Sequence, residues 1–212
     1  MNMMANLARE TEHESGGVVK GVAIAVVTQN QDPENLCRVK VSFPWHDKPS
    51  ESYWARLATP MAGAERGFVT IPEVGDEVLV AFEREDLRFP CVLGGLWNGK
   101  DKPPRFNGDG NNDERIFQSR KKHYLLFKDG AQGAVEIFHE KGHRALFDDD
   151  GILVEDGKGN SFKIDSNAGA ITIEAVGNLK IKAAAITLEA TGTLDVKASG
   201  TLGLRGALVN IN

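Results

Sequence analysis

From residue 122 onward, apolar residues recur as pairs with one residue between them. The earlier pairs are Leu125/Phe127, Val135/Ile137, Ala145/Phe147, Ile152/Val154 and Phe162/Ile164. After Gly169 they become regular: Ile171/Ile173, Leu179/Ile181, Ile186/Leu188, Leu194/Val196, Leu202/Leu204 and Val209/Ile211, with steps of eight, seven, eight, eight and seven residues. Residues i and i+2 of a strand face the same way. Each unit therefore predicts a short strand carrying two apolar side chains on one face, followed by a polar or glycine-containing bend. One such strand cannot bury its pair alone, whereas a stack of them can.

A step of seven or eight residues is too short for one chain to close a full solenoid coil. Three chains winding together would close a triangular prism, with the apolar pairs on its axis. The expected trimer core is Ile171, Ile173, Leu179, Ile181, Ile186, Leu188, Leu194, Val196, Leu202 and Leu204. At about 4.8 Å between strands, the last six units predict a shaft of roughly 30 Å, and the whole second half about 50 Å. The bends around Gly177, Gly192 and Gly200 call for small residues or positive φ where chains approach closely. Outward positions such as Glu174, Lys180, Lys182, Glu189, Asp195 and Lys197 mix charge signs, which opposes side-by-side pairing of shafts. The i, i+2 pairing and repeated glycine oppose a heptad coiled coil. The regular repeat and its charges oppose an amyloid-like segment.

Residues 18–98 show a different pattern. Strand-like runs fall at Val18–Thr28, Cys37–Phe43, Tyr53–Ala58, Gly67–Ile71, Glu77–Phe82 and Cys91–Leu96. Turn chemistry separates them, as at Asp32-Pro33 and Pro72–Gly75. Five or six short strands without helical period predict a small closed barrel. The fold class is thus all-β: an N-terminal small closed barrel followed by a C-terminal intertwined trimeric β-helix. The expected divisions are an arm over 1–16 (helical at Met3–Glu10), the barrel over 17–99, a linker over 100–121 containing Pro103-Pro104, and the shaft over 122–212.

Composition narrows the function. The net charge of −5, and nine Lys/Arg against eleven Asp/Glu in residues 17–100, argue against nucleic-acid binding, which needs a cationic surface. No apolar run approaches the roughly 20 residues of a membrane-spanning helix. The N-terminus lacks a signal-peptide core, so synthesis in the cytoplasm is expected. Cys37 and Cys91 each lie in an apolar run and are expected as buried free thiols.

Three motifs suggest chemistry without its context. His139-Glu140-Lys141-Gly142-His143 has the spacing of a zinc-protease helix, in which both histidines share a face. Gly142 interrupts it, and the flanking residues alternate like strands. A hairpin corner is expected, with no metal at His139, Glu140 or His143; stoichiometric zinc lost in His139→Ala would restore the protease reading. Asp148-Asp149-Asp150-Gly151 lacks the spaced carboxylates of a calcium loop and reads as a charged turn. Trp45-His46-Asp47 has no accompanying nucleophile. No cofactor and no catalytic residue are expected.

Four runs carry a family resemblance: Arg38–Trp45 (RVKVSFPW), Trp54–Gly63 (WARLATPMAG), Gly67–Phe82 (GFVTIPEVGDEVLVAF) and Pro90–Gly99 (PCVLGGLWNG). In this order they resemble the OB-fold domain of the phage baseplate assembly protein V and VgrG spike family. Arg120–Asp129 and Gly142–Asp165 are similar to that family's neck. The resemblance implies a homotrimeric spike at the tip of a contractile injection machine, assembled into a virion or tail-like particle and touching the target membrane only transiently. The chain shows no fused hub domain, so a separate hub protein is expected at the barrel end. It also shows no lysozyme-like insertion and no iron-binding His-x-His apex. A PAAR-type cone protein is therefore expected on Leu208, Val209, Asn210, Ile211 and Asn212.

Overall fold

The structure, a computed structural model, describes residues 18–46 and 51–211. The expected arm over 1–16 lies outside the described residues. The chain divides into two compact units, Met1–Phe106 and Asn107–Asn212. The described elements are strands, apart from one 3-10 turn at Glu83–Glu85.

The first unit contains β1 (Val22–Gln29), β2 (Lys40–Ser42), β3 (Arg56–Leu57), β4 (Ala62–Gly63), β5 (Arg66–Gly67), β6 (Glu77–Phe82) and β7 (Pro90–Gly95). Five of them form a half-barrel sheet in the order β2-β1-β6-β7-β3, and β4 pairs with β5 separately. All sheet neighbours are antiparallel except β3 and β7. Alternation along the strands decides the core: Ala25 and Val27 of β1, Val41 of β2, and Val78, Val80 and Phe82 of β6 are buried. Val39, Phe43, Ala55 and Val92 complete the same cluster.

Two expectations for this unit change. The run Gly67–Ile71 does not form a strand beyond Gly67; Phe68, Val69 and Ile71 are exposed, so no sheet neighbour rewards extension there. Cys37 is exposed rather than buried, and Cys91 is half-buried; both are free thiols. Cys37 has φ +57, which breaks extended backbone before β2 begins at Lys40.

The second unit contains β8 (Glu114–Gln118), β9 (Tyr124–Lys128), β10 (Ala134–Phe138), β11 (Arg144–Asp148), β12 (Gly151–Glu155), β13 (Ser161–Asp165) and β14 (Ala170–Glu174). They form one seven-stranded meander in chain order, with every neighbour antiparallel. Five of these strands fall on the apolar pairs from Leu125/Phe127 to Phe162/Ile164, and β14 holds Ile171/Ile173.

Two further differences follow. Part of the expected linker is strand β8, paired with β9. Over 114–174 each strand finds its sheet neighbours within the same chain. The reason lies in the turns. Steps of nine or ten residues leave four or five for reversing direction after a five-residue strand. The one short step, from Ala145 to Ile152, reverses through Asp149-Asp150 with Gly151 at φ +141. A Cβ at Gly151 would lie 2.0 Å from the Ile164 carbonyl oxygen, so only glycine fits. Beyond Gly169 no described residue has positive φ. Residues 175–211 form no strand in the single chain, and all are exposed.

Candidate assembly surface

Cross-strand register sorts the meander into two unlike faces. Directly opposite residues share a face. One row therefore runs Phe117, Leu125, Ile137, Ala145, Val154, Phe162, Ile173. Its neighbour, displaced by two residues along each strand, runs Arg115, Phe127, Val135, Phe147, Ile152, Ile164, Ile171. Apart from Arg115 this face is wholly apolar. Phe117 and Ile137 are each 56% exposed, and Phe147 45%.

The opposite face is tied together by polar contacts. The Tyr124 hydroxyl donates to Glu136 at 3.1 Å. Arg144 pairs with Glu155 at 2.5 Å and approaches Glu136 at 3.8 Å. Lys163 pairs with Asp165 at 3.1 Å. The sheet thus has a mixed face, where these polar contacts flank Ile116, Leu146, Leu153 and the buried Leu126, and an apolar face that the single chain leaves open.

The same holds past the sheet. Ile171 and Ile173 continue the open face, and Leu179, Ile181, Ile186, Leu188, Leu194, Val196, Leu202 and Leu204 are 53–71% exposed. Apolar exposure on this scale is far beyond the scattered residues of an ordinary monomer surface. Leu208, Val209, Asn210 and Ile211 are also exposed; Asn212 lies outside the described residues.

The histidine motif closes a hairpin. The His139 amide donates to the His143 carbonyl at 2.8 Å, and the Gly142 amide to the His139 carbonyl at 2.9 Å. Gly142 has φ +90. The His139 ring stacks on His123 at 4.4 Å between centroids and lies 5.3 Å from His143. Its Nδ1 accepts from the Lys141 amide, and His123 Nδ1 from the Glu140 amide, both at 3.2 Å. Desolvation, and then the adjacent His123, push the His139 pKa below its ordinary value. Among the described residues no three His, Cys, Asp or Glu side chains converge to hold a metal. Asp148-Asp149-Asp150-Gly151 is a turn whose Asp148 Oδ1 accepts from the Asp150 and Gly151 amides.

In the barrel, Trp45 packs on Phe43 at 5.5 Å and donates from Nε1 to the Ile24 carbonyl. Trp54 is half-buried beneath Lys40, whose Nζ lies 5.3 Å from its ring. The sequence pattern missed Asp32, read only as a turn residue. It is buried, accepts from the amides of Glu34, Leu36 and Arg38, and holds the Arg38 guanidinium through both carboxylate oxygens. An aspartate before proline, with an arginine six residues on and two before β2, was the available signal. A cleft of about 380 Å³ beside the β4–β5 hairpin includes Cys37, Arg56, Met61, Arg66 and Phe68 in its walls.

Residues 23–97 match the family described as the type VI secretion system/phage-baseplate injector OB domain. Among known proteins, the chain is 34% identical over 94 residues to the actin cross-linking toxin VgrG1 of Vibrio cholerae. It is 37% identical over 94 residues to the type VI secretion system spike protein VgrG3 of the same species. It is 37% identical over 95 residues to the spike protein VgrG2a of Pseudomonas aeruginosa. These matches cover 41% of this chain, but only 9%, 9% and 11% of the relatives. The half-barrel sheet, its buried valine core and the match over 23–97 agree: this unit is an OB domain of the type VI secretion system/phage-baseplate injector kind, and through it the chain is similar to VgrG-type spike proteins.

Proposed function

We propose that the chain is the central spike of a contractile injection machine, acting as a homotrimer that links a tube or hub to a piercing tip. The observation that carries this reading is the open apolar face of the second unit, joined in sequence to an injector OB domain. Three copies with their open faces inward enclose the two apolar rows. Beyond Glu174 the regular pairs supply rungs that no single chain completes, and three chains winding together bury them as an intertwined prism. Residues 171–204 are then the axial core.

The mechanism is mechanical. The barrels meet the hub, and the prism stiffens the tip and transmits thrust to the target membrane, which it touches transiently. A PAAR-type cone binds the segment 208–212. No side chain performs covalent chemistry, and no cofactor takes part. The particle class is any that carries a baseplate tip of this kind.

The test is the mass of the purified chain in solution. A trimer of about 69 kDa, three times the 23.0 kDa chain, that survives detergent or heat is the expected result, because interlocked chains unfold slowly. A monomer by light scattering overturns the reading. Mixing the trimer with a cone protein tests the tip assignment: binding that is lost on removing 208–212 supports it, and no binding with the end intact refutes it.

A further inference from the structure

The turns of the meander fall on two opposite edges, and these edges carry opposite charge. One edge holds the turns 119–123, 139–143 and 156–160, with Arg120, Lys121, Lys122, Lys141 and Lys158 against Glu140 and Asp156. His123, His139 and His143 stand on the same edge. The other edge holds the turns 129–133, 149–150 and 166–169, with Asp129, Asp149, Asp150 and no cation. Asp148 and Asp165 end the strands beside them, as does Lys128, and Asp129 pairs with Arg115 of β8; on the first edge Arg144, Glu155 and Glu174 bound the strands, so that edge stays net positive and the second net negative. Lys121, Lys122, Lys141, Lys158, Asp149 and Asp150 are all exposed.

We infer that the partner of each edge is the opposite edge of a second copy of this chain: the lysine edge of one meander meets the aspartate edge of the next, around a closed ring of three. This inference rests on the trimer reading and adds its mode of contact. With one sheet per copy and the apolar faces inward, each corner of a three-sided prism joins one copy's first edge to the next copy's second edge. Such a contact is heterologous, and a ring of them closes only if the two edges fit each other rather than themselves. Two lysine edges or two aspartate edges at a corner would repel, so the charge division selects parallel copies running the same way around. Exposed ion pairs screened by salt add little stability. The division therefore acts on which copies meet and in which direction.

Geometry supplies a clean test. Within one chain the two edges are separated by the length of five-residue strands, roughly 17 Å, beyond reach of a zero-length coupling reagent. The trimer is treated with a carbodiimide, which joins lysine amines to carboxylates in contact, after mixing isotope-labelled and unlabelled chains before assembly. Expected are labelled-to-unlabelled crosslinks between Lys121, Lys122, Lys141 or Lys158 and Asp129, Asp149 or Asp150. Their loss is expected in Lys121→Glu/Lys122→Glu/Lys141→Glu, together with slower assembly at low salt. Adding Asp149→Lys/Asp150→Lys restores assembly. A trimer without these crosslinks, or one whose assembly ignores both sets of substitutions, overturns the edge contact while leaving the trimer standing. A wild-type monomer instead removes the reading on which it rests.

Discussion

Asp32 shows how one buried carboxylate fixes a loop. Three amide donors and a two-pronged arginine gather on it, so the chain between β1 and β2 is pinned where β2 must start. Arg38, the largest cause, and the three amides hold its carboxyl well below the usual carboxylate range. The folded-state pKa thus lies below the unfolded value of about 3.9. Its stabilisation is complete above that value and is lost as pH falls through the folded pKa. Asp32→Asn is expected to lower the melting temperature of the barrel at neutral pH by several degrees. It should also flatten the loss of stability below about pH 4, measured by circular dichroism against pH. A variant with the same acid slope as the wild type would contradict this. In the core, Val80 is fully buried, and Val80→Ala should cost about 2 kcal/mol in denaturant unfolding, from two lost methyl groups and the cavity they leave.

At the scale of elements, the sequence was legible where apolar pattern met turn chemistry. The run Glu77–Phe82 is β6 without a residue's difference, because a short continuous apolar run and the bounding Gly75-Asp76 agree. The meander strands were legible because alternation met turn chemistry in the same way. What alternation does not encode is which chain supplies a strand's neighbour. The i, i+2 pairs up to Ile171/Ile173 and those after it look alike, yet only the first set pairs within the chain. The deciding signal is the number of residues left for the turn and whether one of them tolerates positive φ. Gly151→Ala tests this: a backbone clash at a conformation reserved for glycine should destabilise the β11–β12 hairpin by about 2–3 kcal/mol, read from thermal unfolding. Wild-type stability would show that another turn replaces it. The assembly surface was legible as a list of apolar pairs. Its charged edges were not, because they emerge only when alternate turns are folded onto opposite sides.

For the whole molecule, the glycines of the shaft make a discriminating probe. Nothing lies within 4 Å of a Cβ added at Gly177, Gly192 or Gly200 in the single chain, and none has positive φ. A single chain accepts a larger residue at these positions. Gly192→Val is therefore expected to leave the meander unchanged by circular dichroism but to weaken detergent resistance of the proposed trimer, in which neighbouring chains approach at that bend. Full resistance in Gly192→Val would mean the chains are not close at that bend. Ile186→Asp and Leu194→Asp put a charge into the proposed axis, where an unpaired ion is strongly disfavoured. They should yield lower-mass species in light scattering; intact trimers would place these residues outside the core.

The self-paired meander also bears on timing. Its contacts join neighbours along the chain through turns of two to five residues, and local pairings of this kind form sooner than distant ones. Each newly made chain can therefore present a finished seven-rung ladder before meeting another. In the proposed trimer three such ladders stand with their last rungs level, and the segments after Glu174 begin winding from a common starting line. The short steps that follow offer many equivalent alignments, one slip apart. A starting line set in advance removes that ambiguity, making the meander the clock and the ruler for the thread that follows it.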